Sequence, residues 1–284
     1  MKQKAIIAVC ICLSACMQLG AQTYEEWCDR AASAIGHDSL PQAEVFIRKA
    51  LAKDPANPHN VLLFSNLGYI QRSERKYREA LRSYELALNI APRNVPILLN
   101  RAALCMELGD YDQAQVDYSL VLDLQPANRE ALLMRAYIHR QRNDYRSARA
   151  DYDSLLSHTP QDFEGRLGLA MLEQKEKHYD AASALLTRMI DEKAEGTSLL
   201  TSSQHAVVYV ARAGVEKDKG NNDRALTDLN EAIRLDANLS EAYLVRGQIY
   251  LLQQKKELAR QDFERAASLG IPMAELSSWL KQCK

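Results

Sequence analysis

The chain contains 284 residues, with 36 lysines and arginines against 37 aspartates and glutamates, so its formal net charge is -1. This balance, without any block of like charge, argues against a nucleic-acid partner and against a polybasic membrane-binding patch. Aromatic residues make up 7% of the chain and are mostly tyrosines at repeated positions, not clusters suited to stacking on bases. We therefore predict no nucleic-acid binding.

The first 21 residues have the pattern of an export signal. Two lysines precede an apolar run over residues 5–15, which is too short for a permanent membrane-spanning helix and is typical of a signal peptide. Residues 13–16 resemble a bacterial lipobox, in which cleavage leaves Cys16 as a lipid-modified first residue. Alternatively, ordinary cleavage follows Ala21, although Leu19 then stands where a small residue is preferred.

Both cleavage sites predict an exported protein. With lipid on Cys16, the chain is a periplasmic lipoprotein anchored to the membrane, because several acyl chains together hold a protein stably. Cleavage after Ala21 instead gives a soluble periplasmic or secreted protein. We therefore expect contact with a membrane only through a lipid at Cys16.

Seven alanines recur at a nearly constant spacing of 37, 34, 34, 34, 43 and 34 residues: Ala43, Ala80, Ala114, Ala148, Ala182, Ala225 and Ala259. A fixed period in this range is typical of stacked structural repeats. Within each period, apolar residues recur at three- and four-residue intervals, as on one face of an α-helix, and a turn separates two such stretches. Proline closes several units, where it ends one helix and suits the start of the next. The sequence thus predicts a stack of helix pairs.

The second unit shows the recurring residues clearly: Leu67, Gly68, Tyr77, Ala80, Tyr84, Ala87 and Pro92. All seven units also have alanine or glycine at the eighth place. This pattern resembles that of the tetratricopeptide repeat family. The resemblance implies an all-α fold, a right-handed superhelical α-solenoid of about seven helix-turn-helix units that is closed by a C-terminal capping helix.

We assign the units to residues 24–57, 61–94, 95–128, 129–162, 163–196, 206–239 and 240–273, and we number the places in a unit from its first residue. Residues 197–205 are an insert, which is either a hinge or part of a longer helix pair. Residues 274–284 are predicted to form the capping helix, because Leu276, Trp279 and Leu280 fall on one helix face.

A charged pair recurs inside the period. Four of the inner and later units have arginine at place 7, where this family usually has a large apolar residue. In each of them aspartate follows sixteen residues later, giving Arg101 with Asp117, Arg135 with Asp151, Arg212 with Asp228 and Arg246 with Asp262. We predict a structural ion pair between the two helices of one unit, because the planar guanidinium can meet a carboxylate at two points. The alternatives are a solvated charged face, or arginines offered to an acidic ligand.

The other three units lack this charge pair. Where leucine replaces the arginine, at Leu67 and Leu169, the aspartate is replaced as well, by Ser83 and Leu185. This paired replacement indicates contact between the two places. The first unit breaks the rule, with Arg30 opposite Phe46.

The resemblance also implies where a partner binds. In this family the first helix of each unit lines the concave face through places 2, 5, 6, 9, 12 and 13. Applied to this chain, those places give the candidate groove residues Asn66, Tyr69, Arg72, Asn100, Met134, Tyr137, Arg140, Met171 and Gln174. Amides can pair with a peptide backbone, while tyrosine and methionine supply apolar contact. The alternative is that these positions simply face solvent.

The sequence contains no recognisable catalytic or metal-ligating pattern. Its six histidines are scattered over different units, and none stands at ligand spacing from an acid or a cysteine. We predict no catalytic residue, no metal and no cofactor. The expected function is a non-enzymatic scaffold in the bacterial cell envelope, which binds a peptide or partner protein in the concave groove. The alternatives are an accessory lipoprotein in outer-membrane or surface-complex assembly and, more remotely, an enzyme subunit.

Overall fold

The computed structural model describes residues 22–194 and 199–283, without the side chains of residues 193 and 194. The predicted signal peptide, including Cys16, lies outside the described residues. The described chain is helical, with no strand among its elements. None of its helices is both long and apolar enough to cross a lipid bilayer.

Fifteen helices follow one another in the described residues. They are α1 (Tyr24–Gly36), α2 (Leu40–Lys53), α3 (Asn60–Ser73), α4 (Tyr77–Ile90), α5 (Val95–Leu108), α6 (Tyr111–Leu124), α7 (Arg129–Gln141), α8 (Tyr145–His158), α9 (Phe163–Lys175), α10 (Tyr179–Ala194), α11 (Ser202–Asp218), α12 (Asn222–Leu235), α13 (Ser240–Leu252), α14 (Lys256–Ser268) and α15 (Met273–Gln282). The first fourteen form seven consecutive pairs, and we call the two members of each pair its A-helix and its B-helix.

The chain divides into two compact units at residue 126. The first unit contains pairs 1–3. In it, each A-helix packs on its own B-helix, each B-helix packs on the A-helix that follows, and the A-helices of pairs 2 and 3 touch. The second unit contains pairs 4–7 and α15. Its A-helices contact one another in sequence, and α15 packs on α14. Within each unit, the exposed A-helix residues of neighbouring pairs therefore share one face, and we call these residues the A-face.

Small side chains let the two helices of each pair approach closely. The seven periodic alanines at place 20 are all fully buried. At place 8, Gly68 and Gly247 leave room for an aromatic ring of the B-helix. An added Cβ would lie 2.6 Å from Cε1 of Tyr84 in the first case and 2.8 Å from Cε1 of Phe263 in the second. The small residues of the period are therefore packing positions.

Each pair turns at the same place in the period. The residue at place 15 has a left-handed backbone conformation in all seven pairs: Asp38, Arg75, Gly109, Asn143, Lys177, Gly220 and Gln254. This conformation costs side-chain-bearing residues roughly 1–2 kcal/mol, and only two of the seven are glycine. The period therefore imposes the turn geometry even where the local sequence does not favour it.

Asparagine and aspartate begin several helices by accepting a backbone hydrogen bond. Asn94, Asn128 and Asp162 accept from the amide three residues ahead at the start of α5, α7 and α9. Asp110 and Asp144 do the same for α6 and α8. Such caps satisfy amides that have no partner inside the helix.

The predicted insert differs in part from the structure. Helix α11 begins at Ser202, four residues before the predicted start of the sixth unit. Thr201 causes this earlier start, because its hydroxyl accepts from the Gln204 amide while the Gln204 side chain accepts from the Thr201 amide. The last four residues of the insert thus lengthen an A-helix, while residues 197 and 198 lie outside the described chain.

The C-terminal helix covers the end of pair 7. Leu276 is fully buried, and Trp279 and Leu280 pack against the same apolar cluster. The Trp279 ring stacks on Phe263 with 6.3 Å between ring centroids. This helix starts at Met273, one residue before the predicted boundary.

Candidate peptide-binding surfaces

In pairs 3, 4, 6 and 7 the arginine at place 7 contacts the aspartate of the same pair at two points. The Nη2–Oδ1 distances are 2.7 Å for Arg101–Asp117, 2.6 Å for Arg135–Asp151, 2.7 Å for Arg212–Asp228 and 2.8 Å for Arg246–Asp262. Nε donates to the other carboxylate oxygen at 2.8–3.0 Å. All four aspartates are buried. The arrangement joins the A-helix to the B-helix.

Two of these arginines also reach the preceding pair. Arg212 Nη1 donates to Thr187 Oγ1 at 3.0 Å, and Arg246 Nη1 donates to Asn230 Oδ1 at 2.8 Å. The hydrogen bond to aspartate raises the pKa of both arginines, although burial acts in the opposite direction. These hydrogen bonds join each arginine to the B-helix of its own pair and to the B-helix of the preceding pair.

Pairs 1, 2 and 5 fill the corresponding region in other ways. In pair 1, Trp27 stacks on Phe46 with 5.7 Å between centroids, and the Arg30 guanidinium lies 5.1 Å from the Trp27 ring. In pair 2, Ser83 donates to Gln71 Oε1 at 2.7 Å. In pair 5, Leu169 and Leu185 are both half-buried.

Pair 5 has its buried ion pair elsewhere. Arg166 Nη1 and Nη2 donate to the two carboxylate oxygens of Glu192 at 2.8 and 2.9 Å. These hydrogen bonds lower the pKa of Glu192 although burial opposes the shift. Sequence reasoning missed this pair because it occurs once and has no periodic signal.

The A-face of the first unit contains four predicted groove residues. Asn66 and Tyr69 are exposed, Tyr69 to 55%, and Arg72 and Asn100 are half-buried. Arg72 pairs with Glu107 of the next A-helix, and the hydrogen bond to Glu107 raises the pKa of Arg72. Tyr69, Arg72 and Glu107 border a cavity of about 280 Å³. Glu107 occupies place 13 of pair 3, a groove place, although it is not among the predicted groove residues.

A second cavity in the first unit lies at its beginning, and we call it the N-terminal pocket. Its volume is about 340 Å³, and its apolar lining includes Leu62 and Leu63 of α3. Its acidic lining residues are Glu25 and Asp29 of α1. Asn66 also lines it, so one predicted groove residue belongs to this pocket.

The A-face of the second unit contains the other five predicted groove residues, of which Met171 is exposed and Met134, Tyr137, Arg140 and Gln174 are half-buried. The Arg140 guanidinium lies 5.5 Å from the Tyr137 ring centroid, and its Nη1 is 3.6 Å from Met171 Sδ. Gln174 Nε2 donates to Asp218 Oδ2 at 2.7 Å. Residues at place 12 therefore reach the next A-helix along the face.

A large cavity of the second unit lies beyond the predicted groove residues. It has a volume of about 610 Å³ and lies among α11, α13, the start of α14 and α15. We call it the C-terminal pocket. Its lining residues Lys217, Asp218, Gln248, Leu251 and Leu252 occupy places 9, 12 and 13 of pairs 6 and 7. The period could have found them, had the groove positions been carried through to the last two pairs.

One cluster in pair 5 has ligand types suited to a metal ion. Single ligand atoms of Glu173, Glu176 and His178 lie within 4.8 Å of one another. Arg149, however, donates to Glu173 Oε1 at 2.5 Å and to Glu176 Oε2 at 2.6 Å. The hydrogen bond from Arg149 lowers the pKa of Glu173. The Arg149 guanidinium therefore already compensates the negative charge of the two carboxylates. The cluster therefore connects α8 to α9 by ion pairs.

Comparison with known proteins agrees with this geometry. Sequence models of the tetratricopeptide repeat match residues 71–136, 133–196 and 211–273. A tetratricopeptide repeat protein from Parabacteroides merdae is 33% identical, with a TM-score of 0.77 over 92% of this chain and 98% of that one. The chain belongs to the tetratricopeptide repeat family, and the predicted all-α repeat solenoid is confirmed.

Two further matches cover less of this chain. Human tetratricopeptide repeat protein 36 is 35% identical over 83 residues, which are 28% of this chain and 44% of that protein. The chain thus spans less than half the length of that relative. The structure of YrrB, described as a repeat protein with an unusual peptide-binding site, is 17% identical, with a TM-score of 0.52 over 69% of this chain and 95% of that one. At this identity the likeness shows the fold alone.

Membership of this family indicates the class of function. Its members are generally non-enzymatic scaffolds for protein–protein interaction, and their repeats present an extended surface to a partner. A protein or peptide partner is therefore the expectation that the fold itself supports.

Proposed function

We propose that this protein is a non-enzymatic scaffold of the bacterial cell envelope and that it binds a peptide or partner protein on its A-face. The observation that carries the proposal is the surface position of the predicted groove residues. None of the nine is buried in the core, and Asn66, Tyr69 and Met171 are exposed. Tyrosine and methionine side chains that are exposed on a protein surface are typical of protein-binding sites.

The chemistry of the A-face suits an extended peptide. Asn66 and Asn100 in the first unit can pair with backbone amides and carbonyls. Tyr69 in the first unit, with Tyr137 and Met171 in the second, supply apolar contact area. The contact of Arg140 with Tyr137 and Met171 holds these side chains in place before a partner arrives, which lowers the entropic cost of binding.

The decisive experiment is crosslinking followed by pull-down from envelope fractions. Tyr69→Ala with Tyr137→Ala removes the two aromatic side chains, and we expect it to lose a partner that the wild-type protein recovers. Val116→Ala is the matched control, because Val116 is 60% exposed but lies on the B-helix α6. Equal recovery of the same proteins by all three forms would refute the A-face as the binding surface.

The proposed location rests on the sequence of the first 21 residues. The lipobox-like residues 13–16 favour a lipoprotein anchored through Cys16, and they are also the observation that favours a role in outer-membrane or surface-complex assembly. Mass spectrometry of the mature N-terminus tests this directly. We expect a lipid-modified Cys16 that is lost in Cys16→Ser, whereas an unmodified N-terminus at Gln22 would show cleavage after Ala21.

A further inference from the structure

The C-terminal pocket combines a large volume with an apolar wall. Leu251 and Leu252 of α13 line it, and Leu252 is 66% exposed. Trp279 of the capping helix lines it as well, and stacking on Phe263 fixes the orientation of its ring. A half-buried indole beside an exposed leucine is a surface that can contact a large apolar side chain.

Two lysines give the pocket its charge. Lys217 and Lys256 line it, and neither forms an ion pair with a described residue. Lys217 Nζ donates to Gln248 Oε1 at 2.8 Å. Because this acceptor is a neutral amide, the hydrogen bond leaves the charge of the lysine uncompensated. Asp218 is the one acidic residue in the lining, and its carboxylate accepts a hydrogen bond from Gln174, which lies outside the lining. The lining therefore carries an excess of positive charge.

Amide side chains complete the lining. Gln248, Gln254 and Gln282 come from α13, from the following turn and from α15. Each offers both a donor and an acceptor, as the backbone of an extended peptide requires. Apolar walls with a few convergent polar groups are the usual composition of a ligand site.

We propose that the C-terminal pocket binds an extended segment of a partner protein in which a carboxylate side chain stands beside a large apolar side chain. The carboxylate pairs with Lys217 and Lys256, and the apolar side chain packs on Leu252 and Trp279. The capping helix is thus part of the binding site as well as a cover for pair 7. This inference rests on the proposed scaffold function and names the chemistry of the partner.

The N-terminal pocket provides a contrast that gives the proposal its selectivity. Its charged lining residues are Glu25 and Asp29, with no lysine or arginine among the residues that line it. An acidic segment is repelled there and attracted to the C-terminal pocket. Opposite charge in the two pockets predicts that they prefer different segments.

The test starts from peptide selection. A library of random twelve-residue peptides is selected on the full chain, and the enriched peptides are synthesised with both ends capped so that no terminal carboxylate contributes. Binding is followed by tryptophan fluorescence in a Trp27→Phe background. The chain has two tryptophans, so Trp279 is then the sole reporter. We expect peptides that combine Asp or Glu with Leu, Phe or Trp, and a saturable change in Trp279 emission.

Variants locate the site. Lys217→Gln with Lys256→Gln is expected to weaken binding of these peptides at least tenfold, and raised salt is expected to weaken it as well. Lys255→Gln is the matched control, because Lys255 is adjacent in sequence but does not line the pocket. We expect it to change affinity less than twofold, and circular dichroism checks that every variant is folded.

Three results would overturn the inference: no enriched acidic–apolar peptide, binding without a change in Trp279 emission, or an effect of Lys255→Gln equal to that of the double variant Lys217→Gln with Lys256→Gln. Peptides that lose binding in Tyr137→Ala but leave Trp279 emission unchanged would overturn this inference alone. The scaffold function would then stand on the remainder of the A-face.

Discussion

Pair 5 and its neighbours in the second unit solve the same packing problem with different chemistry. Pairs 4 and 6 join their two helices through Arg135–Asp151 and Arg212–Asp228. Pair 5 has Leu169 and Leu185 at the corresponding places, and its buried ion pair, Arg166–Glu192, joins its two helices at other places. Pair 5 therefore keeps the helix pairing of the period, while its buried ion pair lies at different places of the unit.

The difference teaches that an apolar pair can fill places 7 and 23 as well as a charged pair can. Burying an ion pair costs desolvation that can cancel its Coulomb attraction, so an apolar pair of similar volume can replace it. Removing one member alone is different, because it leaves a buried charge without its partner. This explains why pair 5 lacks both members of the charged pair and not one alone.

The largest expected effect comes from breaking one charged pair. Arg135→Leu leaves the buried Asp151 uncompensated, and we expect it to lower the free energy of unfolding by about 3 kcal/mol. This is the lower end of the usual range, because the Arg135 side chain is 26% exposed. Urea denaturation followed by circular dichroism measures the loss.

The double variant sharpens the comparison with pair 5. Arg135→Leu with Asp151→Leu imitates Leu169 and Leu185 and is expected to recover most of the stability. Equal and additive losses in the two single variants, with no recovery in the double variant, would mean that the pair contributes no coupling.

Glycines in two adjacent A-helices provide the next largest contrast. An added Cβ at Gly168 of α9 would lie 2.5 Å from Cε1 of Tyr152, whereas the nearest atom to one at Gly214 of α11 is Gln174 Nε2 at 3.6 Å. We expect Gly168→Ala to destabilise by about 1–3 kcal/mol through overpacking. Gly214→Ala should stabilise by about 0.5–1 kcal/mol, because alanine suits a helix interior better than glycine. Thermal and urea unfolding compare the two, and losses of equal size would contradict the close packing of Tyr152 on α9.

Much of the fold could be predicted because its packing requirements recur along the chain, seven times for the small residues and four times for the charged pair. The helix pairs, the small residues at places 8 and 20 and the spacing of arginine and aspartate all have a period that one sequence displays. Interactions that occur once gave no such signal. Arg166 and Glu192 form such an interaction, and only the folded structure brings them together.

The candidate surfaces were only partly predictable for a related reason. The family pattern assigned places 9, 12 and 13 to the binding face, which covers Tyr69 and Tyr137 as well as Lys217 and Leu252. It contained no information on α15, because the capping helix lies outside the period. The contribution of Trp279 to the C-terminal pocket therefore required the packing of α15 against pair 7.

The acid dependence of stability tests the displaced ion pair of pair 5. Hydrogen bonds from Arg166 lower the pKa of Glu192 below its ordinary value of 4.5. A lowered pKa means that the stabilisation is fully present above pH 4.5 and is lost as the pH falls through the lower, folded-state value. We expect Glu192→Gln to flatten this acid loss, measured as the free energy of unfolding at stepwise lower pH. Glu130→Gln, on the exposed side of α7, is the control, and an equal flattening there would contradict the role of Glu192.

The smallest expected effect concerns Arg72 and Glu107, the ion pair on the A-face of the first unit. Both side chains are partly exposed, so solvent and salt screen their attraction far more than in the buried pairs. We expect Glu107→Gln to cost about 0.2–1 kcal/mol at low salt and less at about 1 M salt, by urea denaturation.

In the second unit, Arg140 makes the corresponding contact with the uncharged Met171, and Met171→Leu should show no such salt dependence. A loss for Glu107→Gln as large as that for Arg135→Leu would mean that exposure does not separate the two kinds of ion pair. If the loss is small, the Arg72 guanidinium can exchange Glu107 for an acidic group of a partner at little cost to the fold.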